Sequence, residues 1–162
     1  MKIVNRFFLI VIALILLSVP ESNAQVYNSA IGLRVGYPLS ITYKKNTSDT
    51  RAYEIFGGIR PFTGYNELRI SGAVQIHSDL NDSGNFRWYY GVGGGAAVYN
   101  FDGNSPINSG TSLTISGYLG LEFTLQDLPL NFTLDWVPTI YIGGFGRGFG
   151  GGYGALAIRY VL

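Results

Sequence analysis

His77, Ser78 and Asp79 stand next to one another and carry the three side-chain types of an acyl-transfer site. Such a site needs a nucleophile within hydrogen-bond reach of a base, and a third group that orients the base. Adjacent residues of a β-strand point to opposite faces, so the neighbouring His77 and Ser78 do not form such a pair. His77 is the only histidine and there is no cysteine, which argues against histidine or thiolate metal centres. We therefore predict no catalytic residue, no metal and no cofactor.

Two glycine-rich stretches resemble nucleotide-binding motifs. Residues 146–151 read Gly-x-Gly-x-x-Gly, and residues 91–96 read Gly-x-Gly-x-x-Ala. A dinucleotide fingerprint must follow a strand and open a helix within a βαβ unit, and no helical pattern follows either stretch. We interpret 143–151 as a surface loop, with Phe145, Arg147 and Phe149 as contact residues.

Charged side chains recur on one face of the strands described below. Their spacing places them on the polar face, and arginine predominates among the cations, which suits paired and partly buried charges. We expect an ion-pair plug there; a path for a small polar ligand or an ion is the alternative. Glu122 and Asp135 are expected to share an arginine. The predicted network comprises Arg34, Lys44, Glu54, Arg60, Glu67, Arg69, Arg87, Glu122, Asp135 and Arg159.

The elements that position these charges are β-strands. Leu113–Leu125 alternates apolar and polar or small residues without exception, which is the pattern of a strand with two different faces. The same alternation predicts further strands at 30–37, 39–45, 51–60, 67–77, 86–101, 130–142 and 154–162. Pro38 lacks an N–H and favours a break between the first two. The apolar parity continues across Pro38, so one strand over 30–45 remains an alternative.

Alternation alone does not say which face points inward. Glycines at 91, 93 and 95 on the polar face suit a crowded interior, and the strands reach the ~9–11 residues that a tilted strand needs to cross a bilayer. We therefore predict an all-β fold, an eight-stranded antiparallel up-and-down transmembrane β-barrel with its apolar face outward. A soluble, lipocalin-like periplasmic carrier would place that face inward.

The orientation follows from the aromatic residues and the loops. With both termini in the periplasm, six aromatic side chains on the apolar face fall near one membrane interface, as in outer-membrane barrels. The predicted outer loops are 61–66, 102–112 and 143–151, and the predicted periplasmic turns are 46–50, 78–85 and 126–129. The aromatic girdle comprises Tyr43, Tyr53, Trp88, Tyr90, Phe123 and Tyr160.

The N-terminus has the features of a secretory signal peptide. Lys2 and Arg6 precede the apolar run 7–17, and Ser22 and Ala24 are small residues before a cleavage point. We predict a signal peptide at 1–24 and one barrel domain at 25–162. Residues 25–162 carry equal numbers of basic and acidic residues, so we expect no nucleic-acid partner.

Four segments carry a resemblance to a known family. They are AIGLRVGYPLSITYK (30–44), WYYGVGGG (88–95), GLEFTLQDLPLNFTLDWVP (120–138) and ALAIRYVL (155–162). Together they resemble the small outer-membrane β-barrel proteins of Bacteroidetes-type bacteria. The resemblance implies an eight-stranded barrel and assembly by the barrel-assembly machinery. The terminal Phe usual in such barrels is Leu162 here.

These observations predict a monomer in the cell outer membrane, surrounded by lipid, with a structural or surface-interaction role. The interior of an eight-stranded barrel is filled by side chains, so a general porin is not expected. An extracellular partner would meet the loops 102–112 and 143–151. The alternatives are an outer-membrane lipid-modifying hydrolase or acyltransferase, and the soluble carrier.

Overall fold

The structure, a computed structural model, describes residues 27–36, 38–101, 109–144, 148–151 and 153–162. The predicted signal peptide and Tyr37 lie outside these residues. So do Phe145, Arg147 and most of the loop 102–112. The described part of the chain has no helix long and apolar enough to span a bilayer.

The described residues form ten strand segments. They are β1 (Ser29–Gly36), β2 (Leu39–Asn46), β3 (Arg51–Phe62), β4 (Tyr65–Asp79), β5 (Phe86–Phe101), β6 (Ser109–Thr124), β7 (Leu130–Trp136), β8 (Thr139–Ile142), β9 (Gly148–Gly150) and β10 (Gly154–Val161).

Eight of these segments close into a ring. Each of β1 to β6 pairs antiparallel with the next, and β10 pairs with both β7 and β1. At one end, β8 and β9 continue β7 and β10 beyond short breaks. Ring closure gives every strand of the ring two hydrogen-bonded neighbours, which removes exposed sheet edges. The predicted eight-stranded antiparallel barrel is confirmed.

The ends of the barrel differ in what they carry. The start of β1 and the end of β10 lie at one end, which we call the terminal end. At the opposite, distal end, Thr63 and Gly64 connect β3 to β4, and Gly64 has a φ of 87°, in the left-handed region that favours glycine. The predicted loop 61–66 is therefore only this two-residue turn.

Pro38 separates two strands. β1 and β2 pair antiparallel, with Arg34 opposite Ser40, so the chain reverses between them. This register excludes a single strand over 30–45. Pro138 has a comparable effect, because the predicted strand 130–142 is divided there into β7 and β8. The Pro138 carbonyl still accepts a hydrogen bond from the Gly117 N–H at 2.9 Å, so β6 continues unbroken past the interruption.

Several strands, β3, β4 and β6 among them, extend further than the alternation of apolar residues suggested. β6 begins at Ser109 rather than Leu113, and β4 continues to Asp79. Ser112 shows why the extension was missed: its side chain points inward and is 1% exposed, so a polar residue that resembles a loop residue is an interior strand position. β9 likewise occupies part of the predicted loop 143–151.

The two faces of the barrel wall have opposite chemistry. Val92, Ile41 and Leu134 are 68%, 64% and 59% exposed on the outside, whereas Arg159 and Lys44 are fully buried on the inside. The buried apolar cluster is small and consists of Phe56, Ala73, Tyr89 and Tyr118. The described interior is therefore mainly polar, the reverse of a soluble barrel.

Interior glycines make room for the large rings of this cluster. A Cβ at Gly120 would lie 2.6 Å from Cζ of Tyr89, and one at Gly93 would lie 3.0 Å from Cε2 of Tyr118. Such contacts leave no space for a methyl group. The expectation that inward glycines reflect a crowded interior holds at these positions.

Candidate functional site

The charged residues predicted for the polar face lie inside the barrel. Nine of the ten are buried, and Arg60 is partly exposed near the distal end. Their hydrogen bonds divide them into a Glu122 group, a group around Glu54 and Asp135, and a Glu67 group. We call the three groups together the interior network.

The Glu122 group lies toward the terminal end, where β6 ends. The Glu122 carboxylate contacts the Lys44 ammonium and the Arg87 guanidinium. It also accepts a hydrogen bond from the Tyr27 hydroxyl at 3.3 Å. Burial and this carboxylate raise the pKa of the Tyr27 phenol well above its ordinary value, so the phenol is a neutral donor at neutral pH. Two cations and one phenol thus satisfy a single buried acid.

His77 belongs to the same group. Its Nε2 lies 2.9 Å from Lys44 Nζ and 3.6 Å from Glu122 Oε2, and its ring lies 5.1 Å from that of Tyr89. Ser78 is exposed, while His77 is 3% exposed. In the described part of the chain no serine or threonine hydroxyl bonds the imidazole, and no three His, Asp or Glu residues are placed to hold a metal ion. Within the described residues, the polar partners of His77 are therefore Lys44 and Glu122.

Glu54 is the second centre of the network. It pairs with Arg159 through Oε1, and the same oxygen accepts a hydrogen bond from Thr42 at 2.6 Å. Its other oxygen accepts a hydrogen bond from the Gln75 amide at 2.7 Å. Arg159 in turn donates to Asn131 and Thr133 at 3.2 and 3.1 Å. Each charge of this pair is therefore held by neutral side chains as well.

Arg34 joins Glu54 to Asp135. Its Nη2 donates to Asp135 Oδ1 at 2.7 Å, and its Nη1 lies 3.7 Å from Glu54 Oε1. The Tyr89 hydroxyl donates to Asp135 Oδ2 at 2.6 Å. The guanidinium also lies 5.0 Å from the centroid of the Phe56 ring, a cation–π distance. Arg34 thus touches side chains from β3 and β7, the second neighbours of β1 on either side.

The Glu67 group lies toward the distal end. Arg69 Nε donates to Glu67 Oε1 at 2.8 Å, and its Nη2 bonds both that carboxylate and the Tyr141 hydroxyl. Arg60 lies 4.0 Å above the Phe62 ring and 5.6 Å from the Tyr153 ring. Among the described residues, this end therefore combines one acid, two arginines and several aromatic rings.

Contacts of the interior network cross the barrel. Lys44 on β2 reaches Glu122 on β6, and these strands are four places apart in the ring of eight. Arg159 on β10 reaches Glu54 on β3, three places away. Because these two ion pairs reach across the lumen, their side chains fill the lumen at the heights of Glu122 and Glu54. Pairing is also what makes burial of these charges tolerable, since an isolated buried charge is strongly destabilising.

Within the described residues, Glu122 and Asp135 do not share an arginine, contrary to the expectation from the sequence. Asp135 takes Arg34, and Glu122 takes Lys44 and Arg87. Asp135 lies opposite Gly120 rather than Glu122 in the β6–β7 register, and each acid meets cations from other strands.

The alternation of the strands already predicted that Thr42, Gln75, His77 and Tyr89 lie on the polar face. That they contact the charged residues of the interior network could not be predicted, because these contacts form only when the ring closes. Tyr27 precedes β1, and no sequence pattern indicated that it contacts Glu122.

The six aromatic residues of the predicted girdle lie on the outer face. Tyr43, Tyr53, Trp88, Tyr90 and Phe123 are between 37% and 52% exposed, and Tyr160 is half-buried. Phe86 lies opposite Phe123 with ring centroids 6.3 Å apart, and Phe132 lies opposite it on the other side. These two residues extend the aromatic surface near the terminal end beyond the predicted set.

Comparison of the chain with protein-family models, with curated proteins and with solved structures finds no match.

Proposed function

We propose that this chain is a monomeric outer-membrane protein of a Gram-negative bacterium, with a structural or surface-interaction role and a closed interior. The resemblance to the small barrels of Bacteroidetes-type bacteria belongs to this proposal, as do the signal peptide and the requirement for the barrel-assembly machinery. The proposed extracellular partner would meet the distal end, where the segments 102–112 and 143–151 emerge.

The observation that carries the proposal is the reversal of polarity across the barrel wall. Leu33, Ile59 and Ile70 are each about 60% exposed. In water this exposure would be unfavourable, because burying an apolar side chain normally stabilises a protein. Exposed apolar surface that continues around a fold is typical of a surface that meets another apolar phase. An alternating apolar-out and polar-in pattern is the arrangement of barrels embedded in lipid.

The aromatic residues support the same environment. Tyrosine and tryptophan prefer membrane interfaces, because an apolar ring can face the acyl chains while a polar group faces the headgroups. Trp88 and Tyr90 are outward-facing neighbours with ring centroids 5.7 Å apart, on β5 near the terminal end. A girdle there would place the terminal end at a membrane interface. With both termini in the periplasm, as proposed, that interface is the periplasmic one.

A soluble carrier and a general porin are both less well supported. A carrier needs an apolar lumen, whereas the lumen holds Arg159, Lys44, Glu54 and Glu122. A porin needs an aqueous path, whereas cross-lumen pairs such as Lys44–Glu122 occupy the space. A lipid-modifying enzyme needs a nucleophile beside a base, and the His77 ring contacts no hydroxyl group of serine or threonine in the described residues.

The experiment is expression of the full chain in a Gram-negative host, followed by separation of inner and outer membranes. We expect the protein in the outer-membrane fraction, extracted by detergent but not by high salt or carbonate. After reconstitution into planar bilayers, we expect no steady conductance of the size that porins give. A protein that is monomeric in buffer without detergent would contradict the membrane assignment, and stable large conductance would contradict the closed interior.

A further inference from the structure

An open groove of about 530 Å³ lies on the outer surface of the barrel wall, across β2 to β5. Its floor is Gly72, where the absent side chain leaves a depression in an otherwise continuous apolar surface. Ile55, Val74 and Val92 form its sides, and Tyr43 and Tyr53 stand toward the terminal end. The volume falls within the range of about 300–1,000 Å³ usual for small-molecule sites.

The register explains why the depression forms here. Gly72 lies opposite Ile55 on one side and opposite Gly94 on the other, so two glycines adjoin on the outer face of neighbouring strands. A Cβ at Gly72 would find only Glu54 O, at 3.9 Å, within 4 Å. The position is therefore open outward rather than crowded, and a larger residue there would fill the groove.

Two cations mark the end of the groove nearest the terminal end. Lys45 lines the groove and lies opposite Tyr53, and Arg51 is two residues from Tyr53 on the same outward face of β3. Both are exposed, and neither side chain has an ion pair within the described residues. Lys44, the neighbour of Lys45, instead points inward to Glu122. The outward cations are thus not part of the interior network.

We propose that this groove holds one phospholipid with an anionic headgroup, its acyl chain along Gly72 and its phosphate between Lys45 and Arg51. The proposal rests on the membrane location argued above. Charge complementarity selects the occupant: the apolar trough has Lys45 at its end and Arg51 just beyond, and neither forms an ion pair within the described residues. This matches a molecule with an acyl chain and a terminal negative charge. Arginine and lysine are the usual partners of phosphate groups, and Tyr43 and Tyr53 line the same groove.

A second outer groove provides the internal comparison. It has a volume of about 490 Å³ and is lined by Trp88, Leu119, Leu121, Leu134 and Trp136. Gly120 and Asp135 complete its lining, which includes no lysine or arginine among the described residues, and the nearby turn between β6 and β7 carries the acidic Asp127. An acyl chain can also pack against this apolar surface, but no headgroup preference is expected there.

The test is native mass spectrometry of the full chain, expressed with its own N-terminal segment and purified from membranes in detergent. The protein is delipidated and titrated with phosphatidylglycerol or with phosphatidylcholine of the same acyl chains. We expect one phosphatidylglycerol to bind at least tenfold more tightly than phosphatidylcholine. Each of Lys45→Gln and Arg51→Gln should reduce that preference about fivefold, and the double variant should abolish it.

Two glycine variants separate the groove from the charge. Gly72→Leu should weaken binding of both lipids, whereas Gly57→Leu, outward on β3 but outside the groove lining, should leave it unchanged. Equal affinity for both lipids, or a preference that survives the double charge variant, overturns the proposal and leaves the membrane assignment intact. A wild-type chain that needs no detergent to remain monomeric would instead overturn the membrane assignment.

Discussion

Lys44 and Glu122 come from opposite sides of the barrel and form an ion pair across its lumen. Both side chains are fully buried. Their chain neighbours point outward: Lys45, which follows Lys44, and Leu121, which precedes Glu122, are both exposed. One contact therefore ties the two halves of the ring together and shows which face is inside. Arg87 contacts the same carboxylate from β5, and Nε2 of His77 lies 3.6 Å from it.

Replacing Glu122 with glutamine should destabilise the barrel strongly. The amide keeps the shape of the side chain but leaves Lys44 and Arg87 buried without their counter-charge, and loss of one partner of a buried pair costs about 3–5 kcal/mol. The measurement is urea unfolding in detergent micelles. Asp127→Asn, in the exposed turn between β6 and β7, is the control and should change stability by less than about 0.5 kcal/mol. A Glu122→Gln variant as stable as this control would show that the ion pairs of Glu122 do not stabilise the barrel.

A methyl group at Gly120 should be poorly tolerated. Its Cβ would approach Cζ of Tyr89 to 2.6 Å, and Tyr89 is held by its bond to Asp135, so the ring cannot move freely. Overpacking of this kind costs about 1–3 kcal/mol. Gly117→Ala, where the nearest atom is Pro138 Cγ at an ordinary 3.5 Å, is the matched control on the same strand. Equal unfolding midpoints for the two variants would mean that the interior is looser than described.

An arginine on the outer face should cost stability only if lipid surrounds the barrel. Ile115 lies near the middle of β6, is 55% exposed and has Gly94 and Ile140 as its cross-strand neighbours. Ile115→Arg should destabilise the protein by about 2–4 kcal/mol in bilayers, the cost of a lipid-facing arginine near the midplane.

The measurement for Ile115→Arg is reversible folding into phospholipid vesicles. Ser83→Arg, in the exposed turn between β4 and β5, is the control and should be neutral. If Ile115→Arg were also neutral, the outer face would be in contact with water.

The sequence alone was sufficient to predict the fold and to predict whether most strand residues point inward or outward. The reason is that a period of two assigns each residue of a strand to one face. The alternation over Leu113–Leu125 predicts β6 and the inward position of Glu122. The start of β6 at Ser109 was missed, since its inward residues are polar there and resemble a loop. Pairs such as Lys44–Glu122 could not be predicted, because they join residues 78 positions apart whose proximity depends on the stagger of the closed ring.

The central claim is that lipid touches the outer face, and the two tryptophans test it without any substitution. Trp88 and Trp136 are the only two in the chain, and both point outward at 37% and 49% exposure. In vesicles whose acyl chains carry bromine, we predict strong quenching of tryptophan fluorescence and little quenching by iodide in the aqueous phase. Strong quenching by iodide, with none by the brominated chains, would contradict this account.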